Sequence, residues 1–329
     1  MKALVTGATG FIGIPLCLKL AEQGYEVVAM YRSPEKTKPL YHPQIKLIQG
    51  DICNLESVEQ SMKSCDVVFH LAAYAQMWSK ERDTFYRINY LGTENIMKSA
   101  KKNHIKKIII TSTSGVLGPS YDTAVHENME RKAPFFNAYE TTKAQAETMV
   151  KNYAQNGMDV VIVNPTRVFG PGLLSTSNGV TRMMLLYHKG RFRTLPGNGK
   201  SIGNYAYIDD VVRGFILAVE KGKRGERYIL GGENMSYSDF FKVVSRVSGR
   251  NYIMFKMYLP LMLALSWIFL IQAKLFNTAP FMTPEWARKF SYNWELSSEK
   301  AQKELGYSIE PFEECVRKTF DYLKEQKQL

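Results

Sequence analysis

The chain has 329 residues, 45% of them hydrophobic and 22% charged, which suits a globular protein with a sizeable core and excludes a disordered or fibrous one. Its net charge of +12 is spread along the sequence with no basic run interleaved with aromatics, so an anionic small ligand is expected and no nucleic acid. Cys17, Cys53, Cys65 and Cys315 lack metal-ligand or redox-pair spacing and the five histidines are scattered, so the expectation is a reduced, metal-free, cytoplasmic protein.

Met1-Lys-Ala-Leu-Val-Thr6 leads straight into a glycine turn without the long apolar region of a secretory signal, and the chain is expected to start on its first strand. Ala3-Leu-Val5 reads as a buried strand, Gly7, Gly10 and Gly13 as a turn, and Ile14 to Gln23 as a helix. Glycines between a first strand and a first helix let the backbone turn tightly and approach a pyrophosphate resting on the helix N-terminus. The spacing Gly-xxx-Gly-xx-Gly departs from the Gly-x-Gly-xx-Gly fingerprint.

Further strands follow at Glu26 to Met30, Ile45 to Ile48, Val67 to Leu71, Ile105 to Thr111 and Val160 to Val163, with a long helix over Ala138 to Gln155. Near-continuous apolar strands alternating with helices predict a parallel sheet covered on both faces. At the end of the second strand, where the ribose of NAD would want a carboxylate, stands Met30-Tyr31-Arg32-Ser33. Arg32, backed by Lys36 and Lys38, offers a fork for a 2′-phosphate, which favours NADP over NAD. Asp51 and Ile52 fall where the adenine edge passes, and Leu71, Ala72 and Ala73 are small enough for the cofactor to lie flat. Thr111-Ser112-Thr113-Ser114 closes a strand at its carboxyl end, where open parallel sheets bind ligands.

Tyr139 and Lys143 are four residues apart on one helix, so they share a face. A free phenol titrates near ~10, and an adjacent ammonium would stabilise the phenolate. After Pro165 the chain becomes rich in Gly, Met and Tyr and reads as a smaller, mostly helical lobe. The expected division is 1–165 as a dinucleotide-binding domain with a return contribution from about 205–230, and 166–329 as a discontinuous substrate lobe. Met257 to Ala273 carries no charge. With Pro260 near its start and Gln272 near its end, it is expected to be a buried lobe helix lining an apolar pocket. A homodimer surface, or a bilayer edge touched by Tyr258 to Ile271, are the alternatives.

Together these residues resemble the extended branch of the short-chain dehydrogenase/reductase superfamily over nearly the whole chain. The resemblance rests on Thr6-Gly-Ala-Thr-Gly-Phe-Ile-Gly13, Asp51-Ile52, His70-Leu-Ala-Ala73, Asn89 in Ile88-Asn-Tyr-Leu-Gly-Thr93, Thr111-Ser-Thr113 and Tyr139-xxx-Lys143. It continues through Asn164-Pro-Thr-Arg-Val-Phe-Gly-Pro-Gly172, Tyr207-Ile-Asp-Asp210 and Ser298 to Tyr307. It implies a Rossmann-type doubly wound α/β fold and a catalytic set of Thr113, Tyr139 and Lys143. The implied cofactor contacts are Gly7, Thr9, Gly10, Phe11, Ile12, Gly13, Arg32, Asp51, Ile52, Leu71, Ala72, Ala73, Asn89, Thr111, Tyr139, Lys143, Pro165 and Val168. The implied role of Lys143 is to lower the phenol pKa, and that of Asn89 to hold a water or backbone group behind the lysine. Within the branch the chain is most similar to dihydroflavonol 4-reductase-like and 3β-hydroxysteroid dehydrogenase-like proteins, which implies hydride transfer between NADP, or NAD, and a hydrophobic alcohol or ketone. Thr113 replaces the commoner Ser. Leu117 stands where sugar-nucleotide epimerases usually carry Tyr, which weighs against the alternative of an epimerase or dehydratase with tightly bound NAD. A non-catalytic NADP-binding regulator would not need the intact trio.

Overall fold

The computed structural model describes residues 1–81 and 83–329. The first half alternates β1 (Lys2–Thr6), α1 (Gly13–Glu22), β2 (Glu26–Tyr31), β3 (Ile45–Gln49), α2 (Leu55–Met62), β4 (Val67–His70), α3 (Gly92–Lys102), β5 (Lys107–Thr111), α4 (Ala138–Gln155) and β6 (Val160–Pro165). Next come β7 (Arg167–Phe169), α5 (Gly179–His188), β8 (Thr194–Pro196), β9 (Ile202–Tyr207), α6 (Ile208–Lys221), β10 (Arg227–Leu230), β11 (Glu233–Ser236) and α7 (Tyr237–Ser248). The chain closes with β12 (Phe255–Met257), α8 (Leu259–Phe276), α9 (Pro284–Lys289), α10 (Glu299–Leu305) and α11 (Phe312–Glu325).

Seven strands form one sheet in the order β10-β6-β5-β4-β1-β2-β3, every neighbouring pair parallel. The two-residue period of a strand explains the two layers around it. Leu4, Val28, Val68, Ile108 and Ile110 face one side with Met62, Ile96 and Met97 of α2 and α3. Ala3, Val5, Val27, Phe69 and Ile109 face the other with Leu16 and Leu20 of α1 and Phe215 of α6. The chain reverses direction across the sheet between β1 and β4, and the carboxyl ends there open the crevice in which such sheets bind ligands.

After β6 the chain leaves to build a three-stranded sheet, β11-β9-β7, and a two-stranded one, β12-β8. It then returns, because β10 pairs with β6 from Arg227 opposite Ile162 to Leu230 opposite Pro165. The outer layers meet in an aromatic cluster in which Phe312 packs against Phe169, Tyr205 and Phe240 at ring separations of 5.2, 5.8 and 5.5 Å.

Helix α8 corrects the expectation of a buried lobe helix. Of its 18 residues only Met262, Ser266 and Ala273 are buried, while Leu261, Trp267, Ile268, Ile271, Leu275 and Phe276 are exposed. A helix that is apolar all round has no periodicity to show which side faces the core, and the same composition serves a core or a bilayer. Pro260 occupies the first turn, where its missing N–H costs nothing, so it starts the helix rather than breaking it. The helix is long and apolar enough to cross a membrane by length and composition. Because Ile271 is 55% exposed, Ile271→Lys should change unfolding free energy by no more than about 0.5 kcal/mol. A loss of several kcal/mol in denaturant titration would place that face inside the protein.

Candidate active site

Thr6, His70, Thr111 and Pro165 are the last residues of β1, β4, β5 and β6, so the candidate residues gather along one edge of the sheet. Gly7 has φ +68°, and a Cβ there would lie 2.7 Å from the Ala72 nitrogen. At Gly13 a Cβ would meet the Gly7 carbonyl at 2.2 Å, while the Gly10 amide donates to that same carbonyl at 2.9 Å. The turn is thus closed on itself and requires glycine at Gly7 and Gly13. It delivers the start of α1, which has no side-chain cap and no acid in its first turn. Uncapped N–H groups at the positive end of a helix suit an anion. Thr9 and Ile12 are half-buried in this turn, and Phe11 is buried with Gly172 close by.

The turn is tied to α4 by buried hydrogen bonds. The Ala72 amide donates to Thr6 Oγ1 at 3.3 Å, and Thr6 Oγ1 lies 2.8 Å from His70 Nδ1. His70 Nε2 lies 3.1 Å from Thr93 Oγ1, which donates to the Asn89 carbonyl at 2.7 Å. Burial, with the nearby charge of Lys143, pushes the His70 pKa down to about 3, so the ring is neutral. One tautomer satisfies every partner: Thr6 donates to Nδ1 and Nε2–H donates to Thr93. Asn89 Oδ1 then accepts from the Tyr74 amide at 2.8 Å, and its Nδ2 donates to the Tyr74 carbonyl and to Thr142 Oγ1, each at 3.3 Å. Asn89 therefore holds backbone beside Ala73 and reaches the α4 turn that carries Tyr139 and Lys143.

Asn137 caps α4, its side chain accepting from the Glu140 amide at 2.9 Å. Lys143, 2% exposed, donates to the Thr111 carbonyl at 2.6 Å. Burial pushes its pKa down to about 8 against the opposing pull of Glu147. Thr113 Oγ1 accepts from the Gly115 amide at 3.1 Å and hydrogen-bonds with the Tyr139 phenol. Desolvation pushes Tyr139 up to about 12, the Thr113 bond pulling the other way. Burial thus raises the phenol, while the ammonium of Lys143 donates to the Thr111 carbonyl. Asn164 Nδ2 braces the strand behind them, donating to the Thr113 carbonyl at 3.1 Å and to Glu147 Oε1 at 2.7 Å. The Thr111 hydroxyl and Asn164 Oδ1 are buried with no hydrogen-bond partner among the described residues. With the glycine cradle, these orphaned groups fit a polar ligand such as a dinucleotide.

Pro165 and Val168 are buried just beyond this cluster. Arg32, exposed after β2, makes no ion pair among the described residues, and Asp51, after β3, is occupied by the Cys53 amide at 2.8 Å. Ile52 is buried against Gly92, while Leu71 and Ala72 are half-buried and Ala73 is exposed. Sequence reasoning missed Glu140. This fully buried carboxylate beside Tyr139 pairs with Arg131 at 2.9 Å and with Lys289 of α9 at 2.8 Å. The only local signal was Asn137-x-x-Glu140, which reads as a capping pair.

The depressed Lys143 pKa has a signed consequence. Between about pH 8 and the ordinary lysine pKa of 10.5, the folded state binds fewer protons than the unfolded one, so stability rises with pH there. Comparing wild type with Lys143→Met by denaturant titration should show the difference moving toward wild type by about 2 kcal/mol from pH 8 to 10. A pH-independent difference would mean that the lysine titrates normally.

A model of the NAD dependent epimerase/dehydratase family matches residues 3–231. A putative dihydroflavonol 4-reductase of Synechocystis sp. is 35% identical over 74% of this chain and 72% of its own length. The decarboxylating sterol-4-alpha-carboxylate 3-dehydrogenase of Mus musculus is 26% identical over 99% of the chain and 92% of its own. Among solved structures, the UDP-glucuronic acid 4-epimerase of Bacillus cereus in complex with UDP-glucuronic acid and NAD superposes with a TM-score of 0.80. It is 27% identical and covers 99% of this chain and 100% of that one. The chain belongs to the NAD dependent epimerase/dehydratase family, as an extended short-chain oxidoreductase with a Rossmann-type sheet.

Proposed function

We propose that the protein is an NADP-dependent reductase of a hydrophobic, steroid-like ketone, with Tyr139 as the proton donor. The observation that carries this reading is that Thr113, just after β5, hydrogen-bonds the Tyr139 phenol in the first turn of α4, while Lys143, one turn on, donates to the Thr111 carbonyl. The Gly7 to Gly13 turn, Asn89, Thr111, Lys143, Pro165 and Val168 would hold the dinucleotide, with Arg32 at its 2′-phosphate. When bound, that group supplies the hydride.

The chain's own residues handle the proton. A phenol held near pKa 12 is fully protonated at neutral pH. It can give that proton to a stronger base, such as the alkoxide formed when a carbonyl is reduced. Thr113 orients the phenol and hydrogen-bonds the same substrate oxygen as its charge develops. The ammonium of Lys143 offsets the negative charge left on Tyr139. A hydrophobic substrate is supported by the relatives named for flavonol and sterol chemistry. Leu117 in place of a tyrosine weighs against a sugar nucleotide. The exposed face of α8, flanked by Lys256 and Lys274, suits shallow contact with an anionic bilayer from which such a substrate would come.

Tyr139→Phe should abolish turnover of 3-ketosteroids while NADPH binding, read by fluorescence, changes less than about threefold, well below the factor of 10 that 1.4 kcal/mol represents. Full activity in that variant would sink the mechanism. Arg32→Ala should weaken NADPH binding by about tenfold or more and leave NADH nearly unchanged, the loss expected of one charge-assisted contact. Equal losses for both would remove Arg32 from the phosphate. In flotation with phosphatidylserine vesicles, wild type should rise and the triple variant Trp267→Glu, Ile268→Glu, Ile271→Glu should not, and equal flotation would detach α8 from the membrane.

A further inference from the structure

Three basic side chains, Arg131, Lys289 and Arg167, gather near one carboxylate, that of Glu140, the residue after Tyr139. Glu140 takes both Arg131 and Lys289, and Arg167 of β7 makes no ion pair among the described residues. Its Nη1 donates to the Tyr237 hydroxyl at 2.7 Å and lies 3.5 Å from that of Tyr205, and no other polar partner of its guanidinium occurs among those residues. Arg167 packs on the bare Cα of Gly203, where a Cβ would stand 2.5 Å from its Nη1. Lys289 is near it: the ammonium lies 4.5 Å from the Trp294 ring centroid, and the Trp294 amide donates at 2.9 Å to Ile202, the neighbour of Gly203. The charges of Arg167 and Arg131 both oppose that of Lys289.

The cluster sets three basic groups against one carboxylate, and burial lowers the pKa of Lys289 while it raises that of both Tyr205 and Tyr237. Three half-buried cations elsewhere are paired with carboxylates: Arg227 with Glu147, Lys107 with Asp159 and Lys300 with Glu226. Close to Lys289, 5.1 Å from its ammonium to the ring centroid, stands Trp286, whose buried indole Nε1 has no acceptor among the described residues. The cluster is thus rich in unspent donors and poor in acceptors. Water alone screens such charges poorly, and an anion would satisfy both the charge and the donors.

We propose that Arg167, with Lys289 beside it, forms an anion-binding subsite that receives a carboxylate or phosphate group of the substrate next to Tyr139. The proposal rests on the reading of Tyr139 as the reacting centre. Arg167 is a specificity residue here: its planar fork seats two oxygens of the anion, and the phenols of Tyr205 and Tyr237 fix its plane. Glu140 keeps Lys289 and Arg131 in place.

The test compares calorimetric affinities of 3-oxocholanate, its uncharged methyl ester and UDP-glucose, in wild type, Arg167→Met and Arg167→Lys. Preference for the acid over the ester by about tenfold or more, the range of one charge-assisted hydrogen bond, lost in Arg167→Met and partly kept in Arg167→Lys, supports a carboxylate ligand. UDP-glucose binding that falls in the same order supports the anion subsite with a phosphate source, and it would overturn the steroid-like substrate if no ketosteroid is turned over. Failure of both anionic probes to distinguish the three proteins overturns the subsite. In that case Tyr139-dependent turnover of the methyl ester would leave the reductase reading standing. If Arg167→Met does not fold, the acid-to-ester ratio in wild type against Arg167→Lys decides, because a purely structural arginine would leave that ratio unchanged.

Discussion

The buried ammonium of Lys143 constrains everything around it. A cation with 2% exposure must be hydrogen-bonded and electrostatically offset or it will not stay charged. Its bond to the Thr111 carbonyl fixes the end of β5 against α4. Glu147, one turn further along the helix, supplies the opposing charge and is held in turn by Asn164 and Arg227. These contacts join β5, β6, β10 and α4 into a unit that sets where Thr113 and Tyr139 stand. The cost is a lysine poised near neutrality and a desolvated phenol, the kind of arrangement that active sites carry and ordinary helix faces do not.

The second half of the architecture is the relay from Thr6 through His70, Thr93 and Asn89 to Thr142. It couples the glycine turn, where a pyrophosphate would rest, to the helix of Tyr139 through uncharged groups whose donors and acceptors run in one consistent direction. A charged His70 would break that direction, since both ring nitrogens would donate and Thr6 would lose its acceptor. The neutral ring is therefore part of how the relay keeps its direction.

Much of this was legible in the chain. The alternation of Val- and Ile-rich runs with helices marked the parallel sheet, because strands buried on both faces must be apolar throughout. Gly7 and Gly13 announced the turn, because no other residue fits their backbone. Tyr139 and Lys143 could be placed on one face by spacing alone. What could not be read is equally physical. Spacing says that an ammonium is near a phenol but not which acceptor it chooses, and here it chooses the Thr111 carbonyl. The cluster of Arg131, Glu140, Arg167 and Lys289 draws on residues up to 158 positions apart in the numbering, with no local pattern to betray it. Helix α8 hid its exposure for the opposite reason: an apolar surround carries no directional signal.

The central claim is that a protonated Tyr139 works under the positive charge of Lys143, and the pH dependence of kcat/KM for NADPH-driven ketone reduction tests it most directly. The account predicts a plateau at neutral pH and a fall beginning near pH 8, where the ammonium loses its proton while the phenol, near 12, still keeps its own. A rate that stays flat to pH 10 would contradict it, because the lysine's charge would then have no part in the proton transfer.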